Sequence, residues 1–296
     1  MAEKKYTPMM QHYLKMKEEN PDSILFYRLG DFYEMFFEDA KLVSQELDLV
    51  LTGRSAGVEE KVPMCGIPFH AANSYIQRLV KKGYKVAICE QLEDPSSAKG
   101  LVDRGIIKII TPGTYMDATM DAKSTNYMAS CDVSSFEITV IYCELSTGEL
   151  KYQTLQRSLV ALQKALLEQN VSELVCPMTM DKKWMAALEE MDTMLISKHK
   201  KANIDPEDLP LLNGIESESL KEAFALLMAY LKDTQKQRID HFLPIESMDK
   251  DKVLVMDYET KNHLELVSSQ SSNAKAESLW SFMDKCQSAM GSRMLK

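Results

Sequence analysis

The stretch RLGDFYEMFFEDA, residues 28–40, decides how the first part of this 296-residue chain folds. Before it, residues 24–27 form a short apolar run that begins soon after Pro21, which predicts a buried strand. After the glycine, apolar side chains recur at helical spacing, at Phe36, Ala40, Val43 and Leu47. The sequence therefore predicts a strand that breaks at Gly30 and continues as an amphipathic helix.

Two interpretations of this junction remain open. In the first, Asp31 is the N-cap of the helix and Glu34 reaches back to it, which is a capping box. That interpretation leaves Phe32 without a role. Because two residues on a regular helix lie about 200° apart, Phe32 and Glu34 can face one partner only if the backbone between them is extended or irregular. The second interpretation is therefore an aromatic ring and a carboxylate directed together at a ligand.

The charge of the chain is negative and unevenly distributed. It contains 35 Lys and Arg residues and 44 Asp and Glu residues, for a net charge of −9. Residues 1–115 carry 15 basic and 16 acidic side chains, which leaves 20 and 28 for the rest. A negative net charge argues against a broad surface for nucleic acid or anionic membranes. The first part is near neutral and the remainder is acidic.

The cysteines and the N-terminus indicate an intracellular protein. The cysteines are far apart and form no Cys-x-x-Cys pair, so we expect buried free thiols in a reducing compartment. The N-terminus has no apolar signal segment, and no apolar run approaches the roughly 18 residues of a membrane-spanning helix. The sequence therefore predicts a soluble, cytoplasmic chain.

The pattern of the chain divides it into three segments. Residues 1–115 alternate strands and helices, which predicts a small α/β domain with a mixed sheet. Residues 116–243 begin with three β-rich runs and continue with helices, which predicts a second α/β domain. Residues 244–296 predict a helical segment whose last helix is still running at Lys296. Since that helix has no stop signal, we expect the chain to be part of something longer.

Catalytic motifs are weak in this sequence. Residues 53–57 read G-x-S-x-G, the nucleophile elbow of hydrolases, with Ser55 as nucleophile. An elbow needs a helix directly after the serine, whereas here a loop runs into a proline. No phosphate-binding or dinucleotide-binding glycine motif occurs, and the histidines lack metal-ligand spacing. Asp132 and Glu144 on adjacent predicted strands are two carboxylates without further ligands, which is weak support for a two-metal nuclease.

Several long motifs in order carry a family resemblance. FYRLGDFYEMFFEDA, VPMCGIPFHA, VAICEQLEDP and IITPGT resemble the mismatch-recognition domain of the MutS family of DNA mismatch-repair proteins. Residues 116–243 are similar to the connector of that family, an RNase H-like domain without nuclease function. Residues 244–296 resemble the beginning of its core, although His263 replaces the usual asparagine and residues 285–287 match loosely. The resemblance covers roughly the N-terminal third of a MutS protein.

This resemblance implies roles for individual residues. Phe32 is expected to wedge into the minor groove at a mispair, and Glu34 to bond the mispaired base. If Glu34 bonds a purine N7, which is an acceptor, the carboxyl group must carry a proton. Met64 is expected beside the wedge, with a gap-filling methionine as the alternative. Arg54 and Arg78 are candidate DNA contacts, although a solvated face explains such basic residues about as well.

The resemblance also implies partners. These are double-stranded DNA with mispaired or unpaired bases, a homodimer in the full-length family, and downstream mismatch-repair proteins reached through the connector, with no membrane involved. ATP and magnesium belong to the ATPase domain of the full-length family. We therefore expect neither a cofactor nor an enzymatic activity in this chain. A protein-docking module built on the acidic connector is an alternative function.

Overall fold

The structure is a computed structural model that describes residues 6–57, 60–93, 102–116, 125–248, 256, 258–269 and 278–295. The chain divides into two compact units, Met1–Tyr115 with Leu231–Arg238, and Met116–Tyr230 with Ile239–Lys296. Both units combine helices with a mixed sheet, so the predicted α/β class is confirmed. The bounds of the three predicted domains stay predictions.

The first unit is built on a mixed sheet. Its strands are β1 (Ser23–Leu29), β2 (Phe32–Phe36), β3 (Thr52–Arg54), β4 (Val62–Pro68), β5 (Lys85–Gln91) and β6 (Arg104–Ile110). They lie in the order β3-β4-β2-β1-β5-β6. Only β1 and β5 are parallel neighbours, and the other pairs are antiparallel. The helices are α1 (Pro8–Glu19), α2 (Phe37–Leu47) and α3 (Ala72–Lys81).

Helices cover both faces of this sheet. On one face, the ring of Tyr13 in α1 lies 5.6 Å from that of Tyr27 and 4.9 Å from that of Phe36. On the other face, α2 packs on β4, where the Cys65 Sγ donates to the Ala40 carbonyl at 3.5 Å. Successive residues of a strand point to opposite faces. A central strand covered on both sides is therefore apolar throughout, which explains the uninterrupted hydrophobic run of β1.

The chain turns back at Gly30 as a β-hairpin. Leu29 pairs with Phe32, so only Gly30 and Asp31 connect β1 to β2. Gly30 has a φ of 59°, and a positive φ at the first turn position is what a two-residue type II′ hairpin requires. A Gly-Asp pair between two apolar runs is itself a hairpin signal. The prediction of a strand followed directly by a helix is wrong at this point.

The predicted capping box is wrong for the same reason. Glu34 lies in the middle of β2, and α2 begins only at Phe37. The residue before the helix, Phe36, makes no side-chain cap hydrogen bond. The extended conformation prevails here because β2 is paired on both sides, with β1 and with β4. The hydrogen bonds of these two strand pairings outweigh the local signals for a helix.

The segment VPMCGIPFH contains two prolines and a glycine, which predicts an irregular or edge segment, but residues 62–68 form the regular inner strand β4. Pro63 is its second residue and lies opposite Gly53. Pro68 is its last residue and lies opposite Phe32. Proline cannot donate to a ladder, so it is tolerated at strand ends. Two prolines near the ends therefore leave the middle of β4 free to pair.

A buried carboxylate ties α1, β1 and α2 together. Asp39 of α2 accepts a hydrogen bond from the Leu25 backbone N–H at 2.9 Å and from the Lys17 Nζ at 2.9 Å. The Tyr13 hydroxyl donates to it at 3.4 Å. Asp39 is 7% exposed, so bulk water cannot take its place as the acceptor for these donors. The carboxylate is a local crosslink between three elements.

Replacing Asp39 with alanine is expected to lower the free energy of unfolding by about 2–3 kcal/mol, because a buried backbone N–H loses its acceptor. Urea unfolding of the 296-residue chain measures this. Glu38→Ala is the control, since Glu38 pairs with Lys41 on the surface and its loss should cost less than about 1 kcal/mol. Equal effects of the two substitutions would contradict the crosslink.

The second unit contains another mixed sheet. Its strands are β7 (Tyr127–Val133), β8 (Glu137–Glu144), β9 (Glu149–Gln156), β10 (Glu173–Pro177), β11 (Leu195–His199) and β12 (Glu246–Ser247), in the order β11-β10-β7-β8-β9-β12. β7, β8 and β9 form an antiparallel meander, and β10 and β11 continue parallel to β7. The main helices are α4 (Leu159–Glu168), α5 (Lys182–Glu189) and α6 (Glu218–Gln235), of which the residues up to Tyr230 belong to this unit.

This sheet is also covered on both faces. On one face, α4 and α5 contribute Leu162, Leu166 and Leu188 to a cluster with the buried strand residues. On the other face, Ser130 of β7 donates to the Ala223 carbonyl of α6 at 2.9 Å. Central strand β8 is accordingly buried along almost its whole length. The meander with parallel additions is the framework that holds the helices in place.

The described end of the chain consists of short helices, namely α7 (Tyr258–His263), α8 (Leu279–Met283) and α9 (Ala289–Leu295). The spacing of Leu279, Phe282, Cys286 and Met290 predicts one helix that is still running at Lys296. This prediction is wrong, since the backbone leaves the helix after Met283 and Asp284 accepts from the Cys286 N–H at 3.1 Å. The apolar run VLVMD, residues 253–257, predicts a short strand, and all of it except Met256 lies outside the described residues. Within the described ranges, no helix is long and apolar enough to cross a membrane.

Candidate nucleic-acid interface

Phe32 and Glu34 lie on the same face of the first sheet. They are the first and third residues of β2, and residues two apart on a strand point the same way. Phe32 is 48% exposed although it is a large apolar side chain at the tip of a hairpin. The condition that the sequence set for joint action, an extended backbone between the two residues, is therefore met.

Glu34 is paired with Arg54, one of the candidate DNA contacts. Arg54 of β3 donates from Nη1 to the Glu34 Oε2, and its guanidinium carbon lies 6.0 Å from the centre of the Phe36 ring. The Glu34 side chain is only 15% exposed. Opposite Glu34 on β4 lies Gly66, where an added Cβ would stand 3.5 Å from the Glu34 Cγ. The carboxylate is thus held close to the sheet surface by one arginine.

A second exposed aromatic ring lies near the hairpin tip. Phe69 follows β4 and is 41% exposed. The guanidinium carbon of Arg28 lies 3.7 Å from the centre of its ring, which is a cation–π contact. Neither residue stands out from the sequence as a candidate. The signal is weak, because Phe69 directly follows Pro68 in a segment with two prolines, and Arg28 looks like an ordinary strand charge.

Acidic and phenolic groups complete the surroundings of Arg28. Its Nη1 donates to the Glu90 carboxylate at 3.4 Å, and the Tyr33 hydroxyl donates to the same oxygen. Burial first, and then the hydrogen bond to Glu90, raise the pKa of Tyr33 above its ordinary value. Tyr33 is therefore a neutral donor at physiological pH. Glu90 stays fixed between a phenol and a guanidinium.

The other two candidate contacts are not brought to the wedge. Met64 lies on the face of Phe32, but it pairs with Phe36 and packs beside the core of the first unit. Its Sδ lies 3.7 Å from the Thr52 Oγ1. Arg78 is an exposed residue of the last turn of α3. The described contacts do not connect Met64 or Arg78 with Phe32, so their roles at DNA stay predictions.

The described residues do not form the alternative catalytic sites. Ser55 lies after β3, and the next element is strand β4, so within the described residues no helix follows it as an elbow requires. Asp132 and Glu144 pair with Thr139 and Tyr127 at opposite ends of the β7–β8 ladder. No group of three or more His, Cys, Asp or Glu that could hold a metal occurs in the described part of the chain.

Each of those two carboxylates has a structural partner instead. Asp132 accepts from the Lys201 Nζ at 3.0 Å and from the Ser219 hydroxyl at 3.0 Å. Glu144 accepts from the Ser146 hydroxyl and the Thr147 N–H, both at 2.8 Å, which caps the β8–β9 turn. Both acids are explained by the fold, so neither is a candidate metal ligand.

The sequence of this chain is similar to those of known proteins. Residues 7–119 match the family model MutS domain I. The chain is 43% identical to the DNA mismatch repair protein MutS of Bacillus licheniformis and 41% identical to that of Clostridium tetani, over 98% and 99% of its length. The MutS protein of Bacillus subtilis is 41% identical over 98% of the chain. The chain spans about a third of the length of these relatives, 33–34%.

Proposed function

Residues 7–119 belong to the MutS domain I family and the chain is related to bacterial MutS proteins over 98% of its length, and from this premise we propose that it recognises mispaired bases in duplex DNA. Phe32 is the wedge that enters the minor groove, and Glu34 bonds the displaced base. The observation that carries the proposal is a phenylalanine, 48% exposed, at a hairpin tip with a carboxylate on the same strand face.

The physical basis is the cost of deforming DNA. An apolar wedge that enters a base step unstacks it and kinks the duplex. Unstacking costs a few kcal/mol, and least where pairing is already broken. A mispair is therefore easier to open than a matched step, whatever the identity of the bases. A ring that stacks on one base selects damaged steps by their deformability, as a sensor of many different mispairs must.

Arg54 provides the charge that this scheme needs. A lone carboxylate next to phosphates is repelled, whereas Glu34 already accepts a hydrogen bond from the Arg54 guanidinium. With this partner, the pair presents no net negative charge to the duplex. Arg54 thus supports Glu34 in addition to any phosphate contact of its own. To donate to a purine N7, Glu34 has to leave this pairing and carry a proton, so the pair is the arrangement of the free chain.

Replacing Glu34 with glutamine is expected to keep the preference for mispaired DNA and to make it independent of pH between mildly acidic and mildly alkaline conditions. An amide donates to a purine N7 without needing a proton. Glu34→Ala should reduce the preference roughly tenfold, since one contact to a base edge is worth about 1–3 kcal/mol. Fluorescence anisotropy with labelled duplexes measures both. Loss of the preference in Glu34→Gln at every pH, with the fold intact, would exclude the protonated form.

The second unit is proposed to be the connector of this family. Its strand order, an antiparallel meander followed by two strands parallel to the first, supports an RNase H-like assignment. We propose that it relays the state of the sensor to the ATPase of longer relatives and meets downstream repair proteins. ATP binding, dimerisation and a cytoplasmic location are proposals of the same kind. This chain itself is proposed to be a binding protein without enzymatic activity.

A salt titration tests the proposed function directly. The 296-residue chain is titrated with matched duplex and with the same duplex carrying one mispair, at several salt concentrations. We expect weak binding with a shallow salt dependence, because the net charge of the chain is −9 and few phosphates are neutralised. The mispaired duplex should bind more tightly at every salt concentration. Equal affinity for the two duplexes would overturn the proposal.

A further inference from the structure

The turn that presents Phe32 is held by a side chain of its own hairpin and by a backbone group from beyond β4. Two residues, Gly30 and Asp31, form this turn, and both of their carbonyl oxygens are occupied. The Arg28 Nε donates to the Gly30 carbonyl, and the Phe69 backbone N–H donates to the Asp31 carbonyl at 3.0 Å. Exposed two-residue turns usually leave such carbonyls to water. Here the protein fixes them.

Arg28 connects this turn to three parts of the sheet at once. While Nε is bound to the turn, Nη1 reaches Glu90 of β5 and the guanidinium plane lies over the Phe69 ring. Its own carbonyl accepts from the Arg104 Nε at 2.9 Å. Only a planar fork with several donors can stack and donate in two directions, so lysine cannot replace it. The turn is thereby tied to β4, β5 and β6.

Phe69 is the second half of this clamp. Its backbone binds the turn while its ring supports the guanidinium, and it follows Pro68, the partner of Phe32 in the ladder. At 41% exposure its ring adds little to the core of the first unit. The contact with the Arg28 guanidinium therefore explains the presence of a phenylalanine at position 69 better than a contribution to core stability does. Arg28 and Phe69 lie on the side of the turn away from Glu34, since Arg28 pairs with Tyr33 in the ladder.

We infer that Arg28 and Phe69 are positioning residues for Phe32, a clamp that keeps the hairpin turn rigid so that the ring meets a base step in one fixed orientation. This inference rests on the proposed wedge function. A turn that is ordered before binding loses no backbone entropy on binding, and it does not yield when the ring is pressed into the stack. Rigidity at the base of the wedge thus adds to the discrimination of mispairs.

Two measurements on the 296-residue chain test the clamp with the variants Arg28→Met, Arg28→Lys, Phe69→Ala and Phe69→Tyr. The first is NMR relaxation of the Asp31 and Phe32 amides in the free chain, which needs no DNA. The second is the ratio of affinities for mispaired and matched duplex. Phe136→Ala and Lys41→Met are controls. The first removes an exposed aromatic ring far along the chain, and the second removes an exposed cation on another element, α2.

We expect Arg28→Met, Arg28→Lys and Phe69→Ala to increase the mobility of the two amides and to lower the affinity ratio about two- to fivefold, the factor that corresponds to one exposed cation–π contact. Phe69→Tyr keeps the ring and should behave like the unchanged chain, as should both controls. Affinity for matched duplex should stay the same, which a general loss of stability would not produce.

The outcomes separate this inference from the proposed function. If Phe32→Ala abolishes the preference while the Arg28 and Phe69 variants keep both the preference and rigid amides, the clamp is refuted and the wedge stands. If Phe32→Ala keeps the preference, the wedge itself fails, and the clamp loses its role in discrimination. Unchanged amide relaxation in Arg28→Met refutes the clamp whether or not the chain binds DNA.

Discussion

Phe32→Ala is expected to abolish the preference of this chain for mispaired DNA and to leave its stability almost unchanged. Stacking of a base on an aromatic ring is worth about 1–3 kcal/mol, so the preference should fall roughly tenfold to a hundredfold. Because Phe32 is 48% exposed, its removal should lower the free energy of unfolding by less than about 1 kcal/mol. Anisotropy titrations with mispaired and matched duplexes, together with urea unfolding, measure the two quantities.

The matched control for this experiment is Phe136→Ala. Phe136 is 90% exposed at the β7–β8 turn, so this substitution removes the same kind of side chain from another hairpin. It should change neither the affinity ratio nor the stability. A preference that survives Phe32→Ala, in this chain and in a full-length relative carrying the same change, would remove the wedge assignment. A large loss of stability in Phe32→Ala would instead assign the ring to the fold.

Gly148→Ala is expected to destabilise the second unit by about 3 kcal/mol or more. Gly148 has a φ of 73° in the turn between β8 and β9, where an L side chain costs about 1–2 kcal/mol. An added Cβ would also fall on the carbonyl group of His241, 2.8 Å from its carbon. Overpacking of this kind costs about 1–3 kcal/mol more. The clash involves backbone, so no side-chain rotation relieves it.

Gly214→Ala separates the two causes. Gly214 has the same φ of 73°, but an added Cβ would meet nothing within 4 Å. Its substitution should cost only the backbone strain, about 1–2 kcal/mol. Urea unfolding of both variants gives the difference, which reports the close approach of His241 alone. If both variants lose the same stability, residues 241–243 do not pack on this turn, although the Leu243 N–H donates to the Gly148 carbonyl at 2.8 Å.

Local patterns predicted those elements whose burial is periodic. The sequence pattern predicts a helix over residues 73–82 and a strand over residues 86–92, and the structure has α3 (Ala72–Lys81) and β5 (Lys85–Gln91) at these places. Thr7-Pro8 predicts a helix start, and Pro8 is the first residue of α1. In each of these, side-chain spacing and end signals agree with the final burial. The mixed α/β class follows from their alternation.

The junction at Gly30 shows where such patterns fail. Phe36, Ala40, Val43 and Leu47 are all buried, as the predicted helical stripe required, yet Phe36 belongs to β2 and only the other three to α2. Spacing reports which side chains are buried but not which backbone conformation buries them. The pairing of β2 with β4, more than 25 residues away in the sequence, decided the conformation. No short window contains that partner.

The sequence by itself determined the family resemblance, the alternation of strands and helices, and the two residues that form the proposed reading pair. Only the tertiary structure decided that Phe32 and Glu34 share a strand face, that Arg54 neutralises Glu34, and that the turn beneath Phe32 is clamped. The physical reason is that periodicity and turn chemistry act within a few residues. Ion pairs and stacks such as Arg28 on Phe69 depend on sheet register, which forms between distant segments.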